Sequence, residues 1–397
     1  MDSFHKTVAT FLNPTEPDPK PLSRVTFGAI NRSDSFKYLK CFGDDSQPGR
    51  NADSSDTVDS MWTIASSTKF ITTIAALQCV EKGLLSLDGP IGEVLSEWKD
   101  PKILTGFDAS DQPILVPAKS AVTLRRLLSH CSGIAYSFEN KTLQKYQEIR
   151  GPRPYPVTVK EAYEPFLVEE PGTKWMYSPG MDWAGLMIES VTNMKLGEYM
   201  DQHIFGPLGL TDTLFHIDQH PAHLSRLAKT FQRTASASLQ EIPDPSKPTL
   251  DDFGGGGLSA TAADLLEIYA AILREDPRIL SQEMIREIFK PQLKTANGLE
   301  SMETVDPGAL CGIPRGTEIQ YGLGGVLNME DLPGGRRKGS IAWSGFRNYY
   351  FWIDRDSGVA GIQAMHMLPC GDEKTVKLLN SFEKAVYAAA DALRVAA

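Results

Sequence analysis

The sequence predicts an α/β (α+β) protein in which one antiparallel sheet, flanked by helices, draws strands from both ends of the chain around a helical insertion. Three observations predict it. Two β-like runs separated by turn residues stand near the start, and four runs rich in β-branched and aromatic residues stand together in the last quarter. Between them, helical patterns alternate with Pro/Gly loops. A sheet fed from both termini implies a discontinuous α/β domain, residues 1–98 and 225–397, and a mainly helical domain over 99–224.

Each element has its own signal. After a proline-rich lead, Pro14 to Pro21, the runs Arg24–Ile30 and Phe36–Phe42 flank Asn31-Arg32-Ser33-Asp34-Ser35, which is turn chemistry, so this is a hairpin. Gly43 to Asp56 is a Gly/Ser/Asp-rich loop. From Ser66, the residues Phe70, Ile74, Leu77 and Val80 recur with helical period up to Gly83. Helical stretches follow at Val122–Ser129 and Trp183–Asn193, separated by the loop Gly151-Pro152-Arg153-Pro154-Tyr155-Pro156. Gly254 to Gly257 precede an amphipathic helix, Ala262 to Arg274. No Gly-Lys-Ser/Thr follows the four glycines, so they mark close backbone approach rather than a phosphate cradle. The last strands are Tyr321–Met329, Gly339–Phe346, Asn348–Asp354 and Val359–Leu368, and a helix over Ala385–Val395 closes the chain.

Composition bounds the function. Of 397 residues, 41% are hydrophobic and 23% charged, as in ordinary globular proteins. A formal net charge of −10 argues against nucleic acid as the main partner, because phosphate binding needs a basic surface. The first residues lack the pattern of a secretory signal, and no stretch approaches the ~18 apolar residues that span a bilayer. The five cysteines, Cys41, Cys79, Cys131, Cys311 and Cys370, are odd in number and scattered, which suits neither a disulfide framework nor a zinc site. A cytoplasmic protein with no membrane contact, metal or cofactor is expected.

Ser-x-x-Lys occurs four times, at Ser3/Lys6, Ser66/Lys69, Ser96/Lys99 and Ser381/Lys384. The first lies at a terminus expected to fray, the third ahead of a helix-stopping Asp100-Pro101, and the last on a solvated helix face. Only Ser66/Lys69 opens a strongly apolar helix. There the two side chains share a face, and Lys69 points among Ile64, Phe70 and Ile74, where burial lowers an amine pKa. The pair reads equally as a nucleophile with its base or as a helix cap. Tyr177, in Trp175-Met176-Tyr177-Ser178-Pro179-Gly180, sits on a constrained loop before a helix and reads as a site residue or as a packed aromatic. Trp343-Ser344-Gly345-Phe346-Arg347-Asn348 places a glycine in a β run, which marks a bend or a ligand approaching the backbone.

In this order, with about 110 residues from Ser66 to Tyr177 and about 165 more to Trp343, the three segments resemble the serine β-lactamase and penicillin-binding-protein superfamily. Leu127-Leu128-Ser129-His130-Cys131-Ser132-Gly133-Ile134, Gly256-Gly257-Leu258-Ser259-Ala260-Thr261 and Tyr321-Gly322-Leu323-Gly324 resemble further segments of its class C and esterase branch. The resemblance implies a serine β-lactamase-like fold with the active site between the two domains. Two departures narrow it: Pro179 replaces the usual Tyr-x-Asn amide, and Trp343-Ser344-Gly345 replaces Lys/His-Thr-Gly. Both argue against β-lactam hydrolysis, and the Trp-x-Gly form is similar to fungal acyltransferases of the lovastatin type.

That likeness implies acyl-enzyme chemistry on Ser66, with Lys69 and Tyr177 sharing its proton and the backbone N–H groups of Ser66 and Phe346 forming an oxyanion hole. Trp343, Ser344, Gly345, Tyr136 and Trp183 are expected to bind substrate. The acyl group would pass from a thioester donor to the hydroxyl of a secondary metabolite, or to water in a hydrolase; a non-catalytic binding protein of this fold is a further alternative. An acyl carrier protein domain of a polyketide synthase is a candidate donor partner. The run Arg336-Arg337-Lys338 reads as its docking patch or as a solvated hairpin tip.

Overall fold

The β runs at the two ends of the chain meet in one seven-stranded, fully antiparallel sheet. The computed structural model describes residues 1–12, 22–43, 58–152, 154–295, 297–301 and 310–396. The strands are β1 (Val25–Asn31), β2 (Lys37–Phe42), β3 (Ile319–Tyr321), β4 (Val326–Asn328), β5 (Ile341–Gly345), β6 (Tyr349–Asp354) and β7 (Val359–Met365), in the spatial order β3-β4-β5-β6-β7-β1-β2. The termini are joined through the β1–β7 ladder, which runs from Val25 opposite Met365 to Asn31 opposite Val359.

β6 and β7 are buried along their whole length because helices cover both faces. Successive strand side chains point to opposite faces, and the neighbours Phe351 and Trp352 show what lies on each. Phe351 packs against Phe70 of α2 (Thr68–Glu81) and, at 4.8 Å between ring centroids, against Tyr269 of α4 (Ala262–Arg274). Trp352 meets Phe382 of the C-terminal helix α5 (Glu373–Ala396) on the other side. The helix α3 (Gly180–Thr192) packs beside α2. Gly28 is where α4 comes closest to β1: a Cβ there would lie under 3 Å from Leu266.

Several expectations change. The N-terminus does not fray. It forms the helix α1 (Asp2–Leu12), whose Phe4, Val8 and Leu12 are buried, with Phe4 packed on Phe27 and Phe382. The run Tyr321–Met329 is not one strand but the hairpin of β3 and β4, because Gly322-Leu323-Gly324-Gly325 turns the chain, with Gly324 at φ +81°. The closing helix begins at Glu373 rather than Ala385. The helix expected over Val122–Ser129 shrinks to Leu124–Leu128, capped by Thr123. Within 99–224 the chain also forms a small sheet from Lys102–Phe107, Pro113–Pro117 and Phe166–Leu167. The Pro14–Pro21 lead, Arg153 and nearly all of the Gly43–Asp56 loop lie outside the described residues.

A second small sheet sets up the candidate site. Met61–Thr63 pairs antiparallel with Ser259–Thr261, which in turn pairs with Thr213–Leu214. Ser66 follows the first of these strands and the glycine run precedes the second, so one ladder fixes them side by side.

Candidate active site

Ser66 lies in the single 3₁₀ turn Ala65–Ser67 that leads into α2. The preceding Ala65 has φ +45°, a left-handed conformation that costs a non-glycine residue roughly 1–2 kcal/mol. The turn is held by Ile64, whose N–H donates to Leu258 O at 3.0 Å. α2 is apolar on nearly every side and runs through the core, with Thr68 through Cys79 buried. Its Lys69 is consequently fully buried.

The Lys69 ammonium donates to Gly255 O at 2.6 Å, Ser66 Oγ at 3.2 Å and the Tyr136 hydroxyl at 3.2 Å. These three bonds use all of its protons. Burial lowers its pKa to about 8, with the Asp182 carboxylate opposing the fall. The Tyr177 hydroxyl donates to Ser66 Oγ at 2.6 Å, and Lys69 Nζ lies 4.8 Å from the centre of the Tyr177 ring.

Aromatic rings fix Tyr177. His130 packs on it at 4.9 Å, Tyr136 at 5.1 Å and Trp343 at 5.5 Å, and Trp175 stacks parallel at 6.3 Å. Two backbone bonds, Tyr136 N–H to Tyr177 O and Met176 N–H to His130 O, pair the segments that carry these rings. His130 Nδ1 is hydrogen-bonded to Ser178 Oγ, and burial beside Lys69 pushes the imidazole pKa well down, so it is neutral. Burial also holds the Tyr136 and Tyr163 phenols in their neutral forms.

Three of the four glycines, Gly254, Gly255 and Gly257, are required by close approach. A Cβ on Gly254 would sit 2.7 Å from Met181 O, and on Gly255 or Gly257 it would collide with Asp182 or Phe215. The strand end therefore threads between α2 and α3, with Gly254 O accepting from Thr72 Oγ1 and Gly255 O from Lys69. Asp182, in the first turn of α3, accepts the Gly255 N–H at 2.8 Å.

The third segment reaches the same place. Gly345 ends β5 against Ile64, where a side chain would strike the Ile64 carbonyl. That contact sets Phe346 beside the Ser66 turn, with its own side chain 54% exposed. Trp343 is 2% exposed and packs on Tyr177 and Tyr321, so it supports the tyrosine instead of lining a cavity. Ser344 is likewise buried. Trp183 is corrected outright: α3 turns it into the core, where it is fully buried edge-on to Trp98.

A cavity of about 300 Å³ opens at Ser66, lined by Tyr136, Tyr163, Asp182, Lys247 and Phe253 among others. A second, of about 790 Å³, shares Tyr163, Lys247, Thr249 and Phe253 with it, so the two adjoin. Part of the first cavity's wall, Thr63 and Ser246, is tied down by Arg347. Its guanidinium is 4% exposed and binds both oxygens of Asp244, Ser246 Oγ and Thr63 Oγ1. Among the described residues, no group of three or more His, Cys, Asp or Glu is placed to hold a metal ion.

The sequence pointed to Ser66, Lys69 and Tyr177, and the structure brings their polar atoms together. Asp182, His130, Arg347 and the cavity-lining segment after Asp244 join the site through the fold, with no local sequence signal that marks them. The basic run divides: Arg337 and Lys338 are exposed at the turn, as a solvated tip would have them, and Arg336 is not. Arg336 is fully buried, paired with Glu383 and Cys311 O, while Arg337 is met by Asp331.

A family model described as Beta-lactamase matches residues 30–366. Acyltransferase CalJ of Penicillium decumbens is 35% identical over 367 residues, covering 88% of this chain and 86% of that protein. The lovastatin esterase of Penicillium rubens is 32% identical over 348 residues, covering 83% and 86%. Among solved structures, unliganded simvastatin synthase (LovD) from Aspergillus terreus matches with a TM-score of 0.82 at 28% identity, covering 98% of this chain and 96% of that one. Among the described residues, no helix is long and apolar enough to cross a membrane.

Proposed function

This chain belongs to the beta-lactamase family, and from that premise we propose that it is a serine acyltransferase that carries its acyl group on Ser66. The observation that carries the proposal is the half-buried Ser66 Oγ held between Lys69 Nζ at 3.2 Å and the Tyr177 hydroxyl at 2.6 Å, at the floor of an open cavity. Relatives named for acyl transfer support transfer as the outcome; a relative named as an esterase supports release to water as the alternative.

Donor accounting selects the base. A charged Lys69 has no lone pair, and its three protons are engaged, so the Ser66 proton goes to Tyr177. The ammonium beside the ring favours the phenolate that accepts it. In the acylating state the 2.6 Å bond reverses, Ser66 Oγ–H donating to the phenolate. Ser66 Oγ then attacks the thioester carbonyl. The oxyanion is met by the N–H groups of Ser66 and Phe346, each such donor being worth roughly 3–4 kcal/mol. As the C–S bond breaks, Tyr177 returns the proton to the leaving thiolate. An alcohol bound in the adjoining cavity gives its proton to Tyr177 and attacks the acyl carbon, and as the bond from that carbon to Ser66 Oγ breaks, Tyr177 returns the proton to Ser66 Oγ. The donor thioester and acceptor alcohol are small molecules, and a carrier-bound donor would find only Arg337 and Lys338 of the basic run exposed.

Intact mass spectrometry with acyl-thioester donors tests this reading, followed by competition between water and candidate alcohols. The expected result is one acyl mass shift on the native enzyme, none on Ser66→Ala, and ester product when alcohol is present. An equal mass shift on the Ser66→Ala protein would remove the assignment.

A further inference from the structure

One buried carboxylate at the site has no part in the proton path. Asp182 is 1% exposed. Its Oδ1 accepts the Gly255 N–H, and its Oδ2 has no hydrogen-bond partner among the described residues. A capping role alone would be served by a neutral amide, whereas an anion with an unsatisfied oxygen in the core is costly to keep. Asp182 also stands one helical turn beyond Pro179, which has no side-chain donor or acceptor to offer Lys69. The one main-chain residue joining the two charged groups is Gly255, whose N–H meets Asp182 and whose C=O meets Lys69. Any side chain at Gly255 would strike the carboxylate.

We propose that Asp182 is a positioning residue that keeps Lys69 charged and aimed for acylation, acting through the Gly255 main chain and by Coulombic attraction rather than through a direct hydrogen bond. The inference rests on the reading that Ser66 is acylated, since a charged Lys69 matters only if Tyr177 is the base. Mutual perturbation supports it. Burial raises the Asp182 pKa to about 6, with Lys69 opposing that rise, just as Asp182 opposes the fall of Lys69 to about 8. Both groups are therefore ionised together between those values.

The surroundings leave few other charges. His130, from the segment after Leu124–Leu128, is neutral, and Tyr136 and Tyr163 stay protonated. Tyr177 precedes α3. Across the cavity His216 is paired with Asp252, and Asp218 and Lys247 line the wall. Asp182 is thus the buried carboxylate that opposes the loss of the Lys69 proton.

The test reads Lys69 directly. In Ser66→Ala protein, ¹³C-labelled at lysine Cε, the Lys69 resonance is titrated from pH 4 to 11 by NMR, with and without Asp182→Asn. The midpoint is expected near 8 and should fall by about one unit or more in Asp182→Asn, because an adjacent anion favours the ammonium. Single-turnover acylation in the Ser66 enzyme should follow, its alkaline limb moving down by the same amount, for a loss of about fivefold at pH 8 for a one-unit shift. A Lys69 midpoint that does not move overturns the proposal. A uniform loss of rate at every pH, with the midpoint unmoved, would assign Asp182 a merely structural role and overturn it too. If Asp182→Asn does not fold, Ser66→Ala alone decides: ionisation of Asp182 must leave an inflection near pH 6 in the Lys69 signal, and its absence refutes the coupling. The NMR arm does not depend on Ser66 being the nucleophile, so failure of the acylation reading and failure of this inference are told apart.

Discussion

Tyr177→Phe removes one oxygen from the site and leaves its ring cradle intact. Four aromatic neighbours, His130, Tyr136, Trp175 and Trp343, hold the ring, and none of those contacts needs the hydroxyl. The lost hydrogen bond to Ser66 Oγ should change stability by only about 1 kcal/mol. Acylation should suffer far more. Without the hydroxyl, the Ser66 proton has only Lys69 to receive it, and that ammonium is protonated at pH 7 and already donating three bonds. Loss of a positioned general base typically costs 10²–10⁴ in rate, about 2.7–5.5 kcal/mol of barrier. The assay is single-turnover acylation by an activated thioester at pH 7, read as acyl-enzyme mass against time, beside a urea melt. A rate within threefold of the native enzyme refutes Tyr177 as the base and returns the role to Lys69. A large rate loss accompanied by a large stability loss would refute the claim that the ring is independently held.

Three other outcomes are expected. Gly345→Ala places a methyl against the Ile64 carbonyl, which cannot yield as a side chain can; stability should fall by about 1–3 kcal/mol and acylation by about 10²–10³ as Phe346 N–H is displaced, measured by melt and burst kinetics. Arg336→Met strands Glu383 in the core and should cost about 3–5 kcal/mol in a denaturant melt, while the double variant Arg336→Met/Glu383→Leu should recover most of it. Lys69 is depressed from 10.5 to about 8, so the unfolded chain holds the extra proton between those values and stability rises with pH across that window. Asp182 is raised from 3.8 to about 6, so the folded chain holds the extra proton there and stability falls as pH rises across 3.8–6. The pair therefore costs most between about 6 and 8, and urea melts of the native protein against Lys69→Met/Asp182→Leu should show their greatest difference in that range.

What could be read in the sequence was local. Ser66 and Lys69 are related by a single helical turn, and Gly324 marks a turn that only the length of Tyr321–Met329 disguised. The signal for α1 was present as well: Phe4, Val8 and Leu12 recur every four residues, but a short polar terminus gives no partner to pack against until β1 and α5 are in place. What was illegible depends on distant pairings. Arg336 sits in a basic triplet and reads as exposed, yet its partner Glu383 lies 47 residues away on α5. Trp183 neighbours the Tyr177 loop in sequence, but a helical turn rotates it to Trp98 and away from the cavity. Asp182 resembles any acid in a first helical turn, where the macrodipole alone would justify it. Its tie to Lys69 exists only once Gly255 comes between them.

The choice between transfer and hydrolysis lies outside this catalytic cluster. Overall likeness does not separate the outcomes either, since relatives named as an acyltransferase and as an esterase are 35% and 32% identical to this chain. On the proposed mechanism both outcomes begin from the same acyl-enzyme and use the same base, so the competition is between bulk water and a bound alcohol. A nucleophile oriented at the reacting carbon can reach effective molarities of about 10⁵–10⁸ M. An alcohol seated in the larger cavity therefore outruns water if its hydroxyl lies within reach of Tyr177, and loses to it if the cavity holds it askew. The deciding residues are then those of the shared wall, Tyr163, Lys247, Thr249 and Phe253, together with Arg347, which ties down the neighbouring Asp244 and Ser246. None of them belongs to a catalytic motif, which is why the motifs that locate the nucleophile leave its acceptor open.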